Sequence, residues 1–218
     1  MSTGYILKDR SPTPSVTCCA RATSLREEGS KDALFLVNYD MDNSQYYVNG
    51  GDAYGIYCDG DLNIVLRGTS YIRPDICESD TAYGIFCDGA LTITNDAGMD
   101  GTLNVSLGLL NGTAAPPKET AGIRCNPNDV YYLTIQKNTA KTGGSLTVNA
   151  TALPAAGENC SSSGIYAGYY MVLTSCTVNA TGGTATGNYA RSCGIRCRCD
   201  YQQHGGVVQA GGGEGHRP

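Results

Sequence analysis

The dipeptide Gly-Ile recurs five times in this chain, at Gly55-Ile56, Gly84-Ile85, Gly122-Ile123, Gly164-Ile165 and Gly194-Ile195. The intervals are 29, 38, 42 and 30 residues. Four of the five run on to cysteine, as GIYC, GIFC, GIRC and GIRC, and the remaining one reads GIYA, with Ala167 in the cysteine's place. Self-similarity at this period marks an array of supersecondary units stacked in one direction. An all-β chain wound as a parallel β-solenoid is the expected fold.

Each unit breaks into short runs of Leu, Ile, Val and Thr: LNIVL at 62–66, LTIT at 91–94, GTLNVSL at 101–107, YYLTIQ at 131–136, GGSLTVNA at 143–150 and MVLTSCTVNA at 171–180. They alternate with period two and are bounded by Gly, Asp and Asn, as strands are. The best helical candidate is residues 23–34, TSLREEGSKDAL, which Gly29 weakens.

Alternation sets the register. Ile and Cys of GIxC share one face, and the residue between them takes the other. The inward rows are Ile56, Ile85, Ile123, Ile165, Ile195 and Cys58, Cys87, Cys125, Ala167, Cys197. The outward row is Tyr57, Phe86, Arg124, Tyr166 and Arg196. Units stacked about 4.8 Å apart turn each row into a ladder of like residues. A one-residue slip would bury arginines and expose isoleucines.

The repeats run without a linker from about residue 50 to 200, so one elongated domain is expected over 23–208, with an irregular segment at 1–22 and a disordered tail at 209–218. The net charge of −5 argues against nucleic acid, which selects a basic stripe. No run of eighteen apolar residues marks a transmembrane segment, and no charged-then-apolar start marks a signal peptide. The chain reads as a piece of a larger exported protein.

Eleven cysteines suggest a disulfide scaffold at first sight. Four of them fall at one inward repeat position, where a small apolar thiol packs well, so core packing is the expected role of Cys58, Cys87, Cys125 and Cys197. Cys160, Cys176 and Cys193 have no repeat counterpart. Cys193, Cys197, Cys199 and His204 offer three sulfurs and an imidazole to a zinc ion, but the spacing is not that of a knuckle; no metal or other cofactor is expected.

Asp59 and Asp88 share a repeat position, and Asp61 lies close by. Paired carboxylates serve glycoside chemistry, yet Asp-Gly is also ordinary turn chemistry, and Asn126 takes the place in the third unit. Asp40-Met-Asp42-Asn-Ser44 starts like a calcium loop, but Gln45 stands where glycine is needed. The only histidines are His204 and His216, so no nucleophilic or acid–base set assembles.

Fifteen tyrosines are the strongest functional signal. The outward row, joined by Tyr46-Tyr47, Tyr131-Tyr132 and Tyr169-Tyr170, would form a strip of rings and guanidinium groups fit to stack on sugars or on a protein partner. Five Asn-x-Ser/Thr sequons, at Asn104, Asn111, Asn149, Asn159 and Asn179, would accept glycans in a eukaryotic secreted protein, though the repeat itself favours Asn and Thr.

YGIYCDGDLNIVL, and AGIRCNPNDVYYLTIQ followed by GGSLTVNAT, resemble the repeats of large surface proteins of gut Firmicutes, of the carbohydrate-binding-domain or pectin-lyase-like type. The resemblance covers about residues 50–200. It implies a single-stranded right-handed parallel β-helix exported to the cell surface. The expected function is a non-catalytic adhesive or glycan-binding module, with Tyr57, Phe86, Arg124, Tyr166 and Arg196 as its ligand-binding row and glycan or another surface protein as its partner. Two alternatives are a lyase or hydrolase of acidic polysaccharide and a purely structural stalk. The last unit departs from the pattern, with Tyr201 where Leu or Met is expected.

Overall fold

A computed structural model describes residues 16–18, 25–27, 32–41, 47–49, 51–76, 79–109, 115–125 and 131–213. The described chain is all-β, with no α-helix. Each repeat contributes one layer, and each layer gives a strand in turn to three parallel stacks, an arrangement consistent with a parallel solenoid.

The first stack holds the Gly-Ile strands Asp52–Cys58, Thr81–Cys87, Glu119–Cys125, Ser161–Ala167 and Arg191–Cys197. The second runs from Asp32–Val37 through residues 62–66 to Leu91–Asn95, Tyr132–Gln136, Tyr170–Thr174 and Asp200–His204. The third runs from residues 68–72 through Gly101–Ser106, Leu146–Thr151 and Thr177–Thr181 to Val207–Gly211. The long strand Leu62–Ile72 serves both the second and the third stack and joins them into one 11-stranded sheet.

The predicted rows are in register. Ile56 pairs beside Ile85, Ile85 beside Ile123, Ile123 beside Ile165 and Ile165 beside Ile195. The first four are wholly buried in the main core. Ile195, in the last layer, is half-buried and packs against that core. Leu62, Leu91, Leu133 and Met171 add a second column, and Leu103, Val148 and Val178 a third.

The glycine before each isoleucine has a steric cause. A Cβ at Gly122 would lie 2.7 Å from the Gly164 carbonyl oxygen and 3.1 Å from the Thr151 amide nitrogen. One at Gly164 would lie 2.4 Å from the Thr181 nitrogen and 2.7 Å from the Gly194 carbonyl oxygen. Here the first stack presses on both its next layer and the third stack, and any side chain would hold them apart. The glycines also drop out of the paired register, and the alternation breaks with them. Tyr54 therefore shares the outer face with Tyr57 instead of facing inward beside Ile56.

Cys58, Cys87 and Cys125 of the thiol row are buried as expected, Cys197 is half-buried, and none of the four forms a disulfide. Each thiol also serves a turn. Cys58 and Cys87 donate to the Gly60 carbonyl at 3.3 and 3.0 Å, and Cys125 donates to that of Gly89 at 3.3 Å. A weak donor thus stitches one layer's strand to the turn beside it. The contact with Cys58, together with burial, holds the Cys87 thiol well above its ordinary range. Cys160 and Cys176 are likewise buried and free, with their thiols on the carbonyls of Thr186 and Ile135.

Three expectations are corrected. Of the helical candidate 23–34, the described residues are strand: Leu25–Glu27 pairs antiparallel with Asp32–Val37, and the latter becomes the first strand of the second stack. Leu34 and Leu36 face the core while Phe35 does not, a period of two that overrides weak helix formers. Val16–Cys18 is a strand, antiparallel to residues 56–58, inside the segment read as irregular. Val207–Gly211 extends the third stack into the supposed tail, because a short strand between glycine pairs needs little beyond a ready-made edge to pair on.

The last described layer is polar. Tyr201 follows Met171 in its column and Gln203 follows Leu173; the Tyr201 hydroxyl donates to Gln203 Oε1 at 3.0 Å.

Ile123→Ala should lower stability by about 2–5 kcal/mol, through the lost transfer energy and the cavity left behind. Gly122→Ala should cost about 1–3 kcal/mol although it only adds a methyl group. Urea unfolding of both variants checks this, and a neutral Gly122→Ala would contradict the close approach. In native-state thiol labelling mapped by mass spectrometry, Cys199, which is exposed, should react well before Cys58, Cys87 and Cys125.

Candidate functional site

The outward row forms a ladder as its register requires, but it is not one exposed strip. Tyr57 pairs beside Phe86, Phe86 beside Arg124, Arg124 beside Tyr166 and Tyr166 beside Arg196. Tyr57, Phe86 and Arg196 are half-buried, whereas Arg124 and Tyr166 are 8% and 7% exposed. The cause is the break at glycine, which adds a second row of side chains, Tyr54 and Tyr83, to the same face.

At one end the face is an aromatic cluster. The Tyr57 and Phe86 rings stack at 5.7 Å, nearly parallel at 4°. Tyr54 meets them edge-on at 4.9 and 5.4 Å, and Tyr83 lies 5.4 Å from Phe86. Asp52 ties this end down, accepting from the Tyr54 hydroxyl at 3.2 Å and from Thr81 at 2.7 Å.

In the middle lies Arg124. Its guanidinium sits 4.9 Å over the Tyr83 ring and 5.2 Å over that of Tyr166, and it donates to the Tyr83 hydroxyl and to the Glu119 carboxylate. Stacked rings and a paired carboxylate make a buried cation tolerable. Arg196 caps the other face of Tyr166 at 4.8 Å. One tyrosine ring is thereby held between two guanidinium groups.

That end opens into a polar cleft of about 360 Å3, lined by Glu119, Arg124, Tyr166, Tyr189, Arg191 and Arg196 among others. Sequence reasoning named Arg124, Tyr166 and Arg196 but missed Glu119, Tyr189 and Arg191. All three precede a Gly-Ile pair, and simple alternation does not carry across its glycine. Tyr54 and Tyr83 were missed as well, although a tyrosine directly before the glycine in two units was a visible signal.

A second aromatic surface lies on the second stack. Tyr132 and Tyr170, on adjacent layers, stack at 5.0 Å and 17°, and Tyr169 meets Tyr170 edge-on at 4.2 Å. Tyr132 is 49% exposed. The hydrogen bond with Tyr169 pushes the Tyr170 phenol up to about 12. The side chains of Tyr46 and Tyr47 lie outside the described residues.

The other candidates take structural places. The Asp61 carboxylate accepts from the Ala90 amide at 2.8 Å, locking one turn onto the next. Asp59 and Asp88 follow the paired Cys58 and Cys87, so they lie on adjacent layers at the surface, each next to its glycine turn. The zinc quartet is split: Cys197 packs on the main core and donates to the Asp200 and Tyr169 carbonyls, while Cys193 continues the row of Tyr54 and Tyr83. Among the described residues no three His, Cys, Asp or Glu side chains group to hold a metal ion. Of the calcium-like run, Asp40 pairs with Arg73, and 42–44 lie outside the described residues.

Three of the sequons are a ladder. Asn179 donates to Asn149 Oδ1 at 2.7 Å, Asn149 to Asn104 Oδ1 at 2.8 Å, and Asn104 to the Ser70 carbonyl at 3.4 Å. Their amides are engaged in holding layers together. Asn159 is exposed, and Asn111 lies outside the described residues.

No protein-family model matches the chain, and comparison with curated proteins and with solved structures finds no match. Among the described residues, no helix is long and apolar enough to cross a membrane.

Burial, opposed in part by the nearby Arg124 charge, pushes the Tyr83 phenol above its ordinary value of about 10. A group raised on folding contributes stability that is complete below its unfolded value and is lost as pH rises through its folded one. Stability should therefore decline above about pH 10, and Tyr83→Phe should flatten that decline. Chemical denaturation across pH 8–12 checks this; an unchanged curve would mean that Tyr83 titrates as if solvated.

Proposed function

We propose that the chain is a non-catalytic module of a cell-surface protein that binds glycan, built as a right-handed parallel β-helix of the kind its repeats resemble. The observation that carries this reading is the lateral stacking of rings and guanidinium groups on the outer faces. Layers in register hold the Tyr132 and Tyr170 rings parallel at 5.0 Å, and they hold Tyr166 between Arg124 and Arg196 beside an open cleft. Sugar rings offer flat apolar faces to aromatic rings and hydroxyls to guanidinium donors. Both ligand surfaces are fixed by backbone pairing, so little side-chain freedom is left to lose on binding.

The second reading is a structural stalk. The burial of Arg124 and Tyr166 favours it, since both are used to hold the face together.

A glycan array separates the two. Binding to at least one polysaccharide should fall at least about tenfold when Tyr132 and Tyr170 are changed together to Ala, with circular dichroism unchanged, because stacking of this kind contributes about 1–3 kcal/mol. Loss of binding in Tyr57→Ala with Phe86→Ala would place the ligand on the first stack instead. Absence of binding to any plant, host or bacterial polysaccharide would leave the stalk.

A further inference from the structure

We infer that the cleft at the Arg191 end of the first stack is a subsite for an oxyanion carried on a sugar, a sulfate ester or a carboxylate; this rests on the glycan-binding reading above. Four observations converge on it.

The first is charge. Arg124, Arg191 and Arg196 line the cleft with Glu119 as their one acidic companion among the described residues, in a chain whose net charge is −5. The local sign is therefore opposite to that of the whole. The second is availability. Glu119 is committed to Arg124, and among the described residues no carboxylate pairs with Arg191 or Arg196. Two guanidinium forks are left over, and such forks match oxyanions in geometry as well as charge.

The third is an orphan. Arg124 Nε is buried and has no hydrogen-bond partner. A buried donor in that state costs free energy, and an acceptor admitted at the cleft, where Arg124 is part of the lining, would relieve it.

The fourth is Tyr189. It has φ 58 and is 69% exposed. Since Ser161 pairs with Arg191, Tyr189 occupies the position that Asn159, with φ 56, holds one layer earlier. Asparagine enters the left-handed region readily, and a bulky aromatic residue does not. The repeat thus keeps a strained backbone and sets a large ring on it beside the three arginines. A local rule broken at a cleft, with no packing gained by the exposed ring, is the mark of a ligand contact. The ring supplies a face for the sugar, and the arginines supply donors for its charged substituent.

The test compares three polymers of related backbone: a sulfated galactan, polygalacturonate and uncharged galactan. Binding of the intact chain is measured by calorimetry at low and high salt. The chain should prefer one or both charged polymers over galactan by at least about tenfold, as charge-assisted hydrogen bonds worth about 1.5–3 kcal/mol require, and salt should weaken the preference. Which charged polymer wins identifies the oxyanion. Arg191→Ser combined with Arg196→Ser should remove the preference for charged polymers with circular dichroism unchanged, and Tyr189→Ala should weaken binding to all polymers that engage the cleft. Equal binding of charged and uncharged polymers, or a preference that survives the double arginine variant, overturns the oxyanion subsite and leaves the glycan reading standing. No binding to any of the three, with an empty glycan array, overturns both.

Discussion

The close approach of backbone to backbone at the Gly-Ile glycines governs everything else in this structure. With no Cβ in the way, the first stack can lie against its own next layer and against the third stack at one point in each layer. Hydrophobic burial supplies the driving force, but it does not set the geometry. The wholly buried isoleucines could pack in many arrangements; ladder hydrogen bonds set the spacing between layers, and the glycine contact lets the first stack close on the third at that spacing. Once that spacing is fixed, the ladders of Ile, Cys and Asn follow, because each residue meets its own kind above and below.

The same constraint explains why chemistry gathers on one face. Breaking the alternation at glycine brings two rows of side chains to the outside of the first stack instead of one. Where both rows are aromatic, at Tyr54, Tyr57, Tyr83 and Phe86, the face closes over itself. Where the second row shrinks to Ala121, Ser163 and Cys193, there is room for Arg124, Tyr166 and Arg196 to sit face to face, and the surface opens into a cleft. The composition of a row invisible to simple alternation decides where the face is sealed and where it is accessible.

This marks the boundary of what could be read beforehand. Ile56, Ile85, Ile123 and Ile165 were legible because a period of two and a recurring dipeptide both point to them. The ladder order of Tyr57, Phe86, Arg124, Tyr166 and Arg196 was legible for the same reason. Its exposure was not, since the burial of Arg124 depends on Tyr83 and Glu119, whose side of the strand alternation assigns wrongly across the glycine. The strand at Val207–Gly211 was hidden because it is short and flanked by glycines on both sides, and pairing with Thr177–Thr181 supplies what so short a run lacks. The structural use of Asn104, Asn149 and Asn179 was hidden because a sequon and an amide ladder are written with the same letters.

The polar column end at Tyr201 and Gln203 has a further consequence. A stack in which each layer touches only its neighbours stores its stability locally, so the hold on any one layer depends on how much surface it buries against the layer beside it. The strands Arg191–Cys197, Asp200–His204 and Val207–Gly211 form a layer with little of their surface buried. Its backbone should open more readily than that of the buried layers in the middle of the stack. Arg191 and Arg196 ride on it. A ligand held between them and Arg124 of a more buried layer would act as a clasp, coupling occupancy to whether this layer is docked or open.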